Sequence, residues 1–61
     1  MNTQKDELTD YVGKRIKIID GSEAHGDFGI LEYVENSLGV VYLENDNAVW
    51  IVGSTAEIEL A

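Results

Sequence analysis

A chain of 61 residues with no cysteine and a formal net charge of −8 has room for one domain, but for no disulfide framework and no thiolate metal site. No apolar run approaches the roughly 20 residues a membrane helix needs. The polar opening MNTQKDELTD lacks the apolar stretch of a signal peptide, so a soluble cytoplasmic protein with no membrane role is expected.

The charge is unevenly placed. Lys5, Lys14, Arg15 and Lys17 are the only bases, and from Ile18 to Ala61 nine acids follow with no Lys or Arg. Nucleic acid needs cations to replace its phosphate counterions. Only Lys14, Arg15 and Lys17 could supply them, so nucleic acid is not the expected main ligand. A basic protein surface is.

In chain order, residues 1–7 hold nothing apolar beyond Met1, and a frayed start is expected there before a single domain over 8–61. Leu8, Tyr11 and Val12 read as a lead-in turn. Arg15-Ile16-Lys17-Ile18-Ile19 alternates, with Ile16 and Ile18 on one face, which predicts a first strand. Asp20-Gly21-Ser22 punctuates it as a turn. Ile30 to Val34 is the second predicted strand, closed by Glu35-Asn36-Ser37. Leu38 to Leu43 (LGVVYL) is rich in β-formers and is expected to be the central strand. Glu44-Asn45-Asp46-Asn47 predicts a hairpin turn, because Asn and Asp tolerate positive φ. Ala48 to Val52 returns as a fourth strand. Gly53 to Ala56 predicts one 3₁₀ turn, and Ile58 and Leu60 alternate with Glu57 and Glu59 as a short last strand. Short strands separated by turn signals predict an all-β small barrel or sandwich.

Ile16-x-Ile18-x-x-Gly21 followed by Gly26-x-x-Gly29-x-Leu31-x-x-Val34 resembles the KOW motif of ribosomal proteins and NusG-type elongation factors. The resemblance covers residues 14 to about 36. It implies a five-stranded SH3-like barrel, with LGVVYLENDNAVWIV and AEIEL supplying the remaining strands. It also implies turn roles for Gly21, Gly26 and Gly29, with Gly29 as the hinge that opens the second strand and Phe28 as an apolar plug at the barrel mouth. Ribosomal members carry Lys and Arg where this chain has Glu23, His25 and Asp27. An RNA-, ribosome- or transcription-associated role through Lys14, Arg15 and Lys17 is therefore the alternative function rather than the leading one. The single Trp and the absence of an ALYDY-like segment argue against a polyproline groove of the signalling SH3 kind.

Catalytic and cofactor chemistry find no foothold. Asp27-Phe28-Gly29 matches the metal-binding triplet of protein kinases, but 61 residues cannot hold a glycine-rich loop, a paired strand lysine and a catalytic loop as well. His25 stands between Glu23 and Asp27, yet a metal site wants three or four converging ligands and there is no second His. Read as an EF-hand loop from Asp20, the glycine position holds His25 and the bidentate-Glu position holds Leu31, so that motif fails. Ser22 near His25 lacks the rigid, partly buried cleft a triad requires. The expectation is a non-enzyme with no cofactor and no metal.

Tyr42 and Trp50 are expected to pair across the Asn45-Asp46 hairpin. Trp50 belongs either in the core or, with Tyr33 and Tyr42, at a protein contact, where Trp and Tyr are enriched. Domains near 60 residues are marginal and gain from a partner, here another protein or a second copy. The leading expectation is an acidic protein-interaction module that meets a basic partner through Glu23, Asp27, Glu32 and Glu35, with Tyr33, Tyr42 and Trp50 as anchors. In a sharper form the carboxylates stand in for phosphates, and the chain inhibits a nucleic-acid-binding protein.

Overall fold

The computed structural model describes residues 7–45 and 47–61; the frayed segment expected at the start falls, but for Glu7, outside them, as does Asp46. Among the described residues a 3₁₀ turn at Leu8–Tyr11 leads into β1 (Arg15–Ile18), β2 (Phe28–Glu35), β3 (Leu38–Leu43) and β4 (Val49–Val52). A second 3₁₀ turn, Thr55–Glu57, precedes β5 (Ile58–Leu60). The strands form one antiparallel sheet in the order β4-β3-β2-β1-β5. The all-β expectation and the 3₁₀ turn before the last strand both hold.

Alternation sorts the side chains. The inner face carries Ile16, Ile18, Leu31, Val41, Leu43, Val52 and Ile58, joined by Leu8 from the first 3₁₀ turn and Ala24 from the 19–27 loop, and all are buried. Tyr11, Val34 and Trp50 pack against this core while half-buried.

Three expectations about β2 need correction. It runs from Phe28 to Glu35, longer at both ends than Ile30 to Val34. It is also the middle strand of the five, a place expected for β3. Gly29 thus lies inside a strand, facing inward opposite Ile16 and Leu43, and is not a hinge before it. The pairing register slips between Leu31 and Tyr33, so Glu32 is an extra, bulged residue. A bulge moves everything after it to the other face: Leu31 points in, Tyr33 points out and Val34 points in again.

The turns follow local chemistry. Asn36 and Ser37 both take positive φ, 54° and 66°, which gives a two-residue hairpin its twist match. Asn47 also sits at positive φ, 52°, as its residue type allows. The 19–27 loop is held at its start by Asp20, whose carboxylate accepts from the Ser22 hydroxyl and backbone N–H; these bonds hold its pKa below the usual carboxylate value, the hydroxyl bond first. The loop closes at Gly26, at φ +93°, whose N–H donates to the Ile18 carbonyl. At Gly21 an added Cβ would meet nothing within 4 Å, so no glycine is required there.

Candidate interaction surfaces

The outer face of the sheet is mostly apolar over three strands, with Glu35 at its border opposite Leu38. β3 presents Leu38, Val40 and Tyr42, and β4 presents Val49 and Ile51, with no charged side chain among them. β2 adds Ile30 and Tyr33. Tyr33, Leu38, Tyr42, Val49 and Ile51 are all exposed. Tyr42 faces Val49, while Trp50 faces Val41 and points inward. The expected Tyr42–Trp50 cross-strand pair is therefore corrected: the hairpin register puts the two aromatics on opposite faces. The Tyr42 hydroxyl instead donates to Asn47 Oδ1 at 3.2 Å.

β1 brings the cations to one border of this face. Arg15 lies opposite Ile30 and Lys17 opposite Phe28. The Arg15 guanidinium sits 4.4 Å from the Phe28 ring centre and the Lys17 ammonium 5.8 Å, both within cation–π reach. Phe28 is thus a platform under two cations on the outer face, not a plug. Arg15 continues across it to Glu44, with Nε and Nη2 donating to the two carboxylate oxygens at 2.7 and 3.1 Å. Lys17 faces Glu59 on its other side. Lys14 is exposed just before β1.

The Glu44 carboxyl is held below its usual value, chiefly by the hydrogen bond from Arg15. A depressed carboxylate contributes stability above its ordinary pKa and loses it as pH falls through the folded value. Both partners are well exposed, so the contribution is small. Glu44→Gln is expected to lower the melting temperature slightly at neutral pH. The gap to the parent protein should close as pH falls through the carboxylate range; a gap unchanged by acid would exclude this pair as its source.

On the inner side of β4 a second feature appears. A cleft of about 140 Å³ is lined by Glu23, Ala24 and Asp27 from the 19–27 loop, by Leu43 and Ala48, and by the half-buried Trp50. Glu23 is exposed and Asp27 half-buried. Neither carboxylate has a hydrogen-bond or ion-pair partner among the described residues. A larger open cleft of about 410 Å³ lies between Leu8, Val34, Ser37 and Ser54 and borders Glu7, where the described residues begin. No group of three His, Cys, Asp or Glu side chains among the described residues could hold a metal ion.

The candidate residues thus fall into separate sets. Glu23, Asp27 and Trp50 share the cleft, and Tyr33 and Tyr42 lie on the outer face. Glu35, opposite Leu38, joins the two tyrosines on the outer face, while Glu32 protrudes at the bulge. Leu38, Val49 and Ile51, which dominate the outer face, carry no sequence signal of their role, because an apolar strand residue gives no sign of which face is covered. No helix among the described residues is long and apolar enough to cross a membrane. No protein-family model, curated protein or solved structure matches the chain.

Proposed function

We propose that this chain is a non-enzymatic protein-interaction module, a small acidic SH3-like barrel that docks on a more basic protein in the cytoplasm. The observation that carries the reading is the outer face of β2, β3 and β4, where Tyr33, Leu38, Tyr42, Val49 and Ile51 stand exposed side by side. Large contiguous apolar patches on monomeric proteins commonly mark interaction sites. The rest of the chain supplies the long-range attraction, with nine acids and no Lys or Arg from Ile18 onward. The strand order β4-β3-β2-β1-β5, with a 3₁₀ turn just before β5, supports the SH3-like reading. Gly29 pressed against β3 supports the KOW-like one.

A second copy is the weaker occupant, since each chain carries a net charge of −8 and like charges oppose association. The nucleic-acid alternative is weakened by the engagement of two of its three cations. Arg15 is committed to Glu44 and Phe28, and Lys17 lies over Phe28 and opposite Glu59.

Immobilised protein exposed to a cell lysate at low ionic strength is expected to retain a basic partner and release it as salt is raised. Tyr42→Asp, which places a charge on the exposed face, should abolish retention. Retention of nothing at low salt, or retention unaffected by this variant, overturns the reading. Tight binding to generic RNA or DNA that falls steeply with salt would favour the alternative.

A further inference from the structure

β4 is a short edge strand whose own residues carry no charge, proline or bulge to blunt it. Its only hydrogen-bonded neighbour among the described residues is β3. The Leu43 N–H donates to the Ala48 carbonyl, which makes Leu43 and Ala48 a bonded pair. Bonded and non-bonded pairs alternate in an antiparallel ladder. With the register Val41↔Trp50 and Tyr42↔Val49, Trp50 and Val52 turn their backbone groups to β3, while Val49 and Ile51 turn theirs to the open edge. Natural edges are usually blunted by Lys, Pro, a bulge or an inward charge. Val49–Val52 (VWIV) has none of these. The opposite edge, β5, carries Glu59.

The side chains flanking this edge differ between the two faces. On the outer side stand Val49 and Ile51, 59% and 50% exposed. On the inner side Trp50 opens on the cleft that holds the unpaired carboxylates of Glu23 and Asp27. A carboxylate pair beside an indole ring suits a Lys or Arg side chain, through ion pairing and cation–π attraction together. A strand laid along β4 would send alternate side chains to these two faces.

We infer that the free edge of β4 accepts an extended, basic segment of the partner protein as an added strand, with its cationic residues seated in the Glu23–Asp27–Trp50 cleft and its intervening apolar residues beside Val49 and Ile51. This rests on the docking reading above and specifies its mode: main-chain hydrogen bonds to Val49 and Ile51 give the affinity, and the alternating pockets give the selectivity. Charge complementarity selects the occupant, because a second copy would bring another β4 with no cation to the cleft.

The probe is a capped peptide of alternating Lys and Val, compared with a block peptide of the same composition. Trp50, the single tryptophan, reports binding by its fluorescence, and hydrogen exchange at the Val49 and Ile51 amides reports the added strand. The alternating peptide is expected to bind at low salt about tenfold more tightly than the block peptide and to slow exchange at both amides. Ile51→Pro removes one outward N–H where an edge strand tolerates proline, and should weaken binding about tenfold. Val49→Lys, which keeps every backbone group, should weaken it by placing a cation beside the docked strand, and Glu23→Gln with Asp27→Asn by emptying the cleft of charge. Equal binding of the two peptides, unchanged exchange at the Val49 and Ile51 amides of the parent protein on binding, or full affinity in Ile51→Pro or in Val49→Lys overturns strand addition. If such a result comes while a basic protein is still retained from lysate, only the mode fails and the docking reading stands. No binding of either peptide at low salt overturns the inference outright.

Discussion

Gly29→Ala is expected to destabilise the protein by about 3 kcal/mol, the upper range for forcing extra atoms into a packed core. A Cβ on Gly29 would lie 2.6 Å from the Tyr42 carbonyl oxygen, 2.8 Å from Val41 Cγ1 and 3.1 Å from Leu43 Cα. Two of these three atoms are main chain or fixed to it, so no rotamer change can relieve the contact; β2 and β3 must move apart. Those two strands carry the middle of the sheet, so the separation would spread to both neighbours. A domain of this size has only about 3–9 kcal/mol of total stability, and the variant should melt roughly 12–24 °C lower. Gly21→Ala, where the added atom meets nothing within 4 Å, is the matched control. Similar melting curves for the two variants would mean that β2 and β3 are not this close.

Leu31→Ala should cost about 3 kcal/mol, through lost apolar burial and the cavity left behind. Leu31 is fully buried on the central strand, and its Cδ1 would stand 2.9 Å from a Cβ built on Gly39, so its outer methyl packs directly on the β3 backbone. Little can collapse into the space, because the surrounding side chains belong to strands fixed in register. Tyr33→Ala, two residues on, should change stability by only about 0.5 kcal/mol, because the bulge turns Tyr33 outward, where it is 51% exposed. Chemical denaturation of the two variants checks the contrast. Equal costs would mean that the strand runs without a bulge, with Leu31 and Tyr33 on the same face.

The same bulge marks the limit of what local pattern can reveal. Alternation in Arg15–Ile18 and the β-rich run Leu38–Leu43 located β1 and β3 directly, and the Asn-rich turns were visible in their residue types. β2 was harder. Gly29 reads as a turn, since glycine is a turn residue as readily as a close-packing one, and only the approach of β3 decides between them. The cleft is legible in part: Glu23, Asp27 and Trp50 are candidates by residue type, but only the fold brings the loop, through the buried Ala24, to Leu43 of β3 and Trp50 of β4.

By itself the sequence determined an all-β chain with five strands, a 3₁₀ turn before the last of them, a strongly acidic surface and no cysteine chemistry. These follow from propensity, period and charge, which are properties of neighbouring residues. The tertiary structure alone decided that Gly29 is buried within a strand, that Tyr42 and Trp50 face opposite ways, and that β4 ends the sheet with its backbone groups open. The reason is physical: strand register and edge position depend on pairings between residues far apart in the chain, and a shift of one residue exchanges the two faces of a strand.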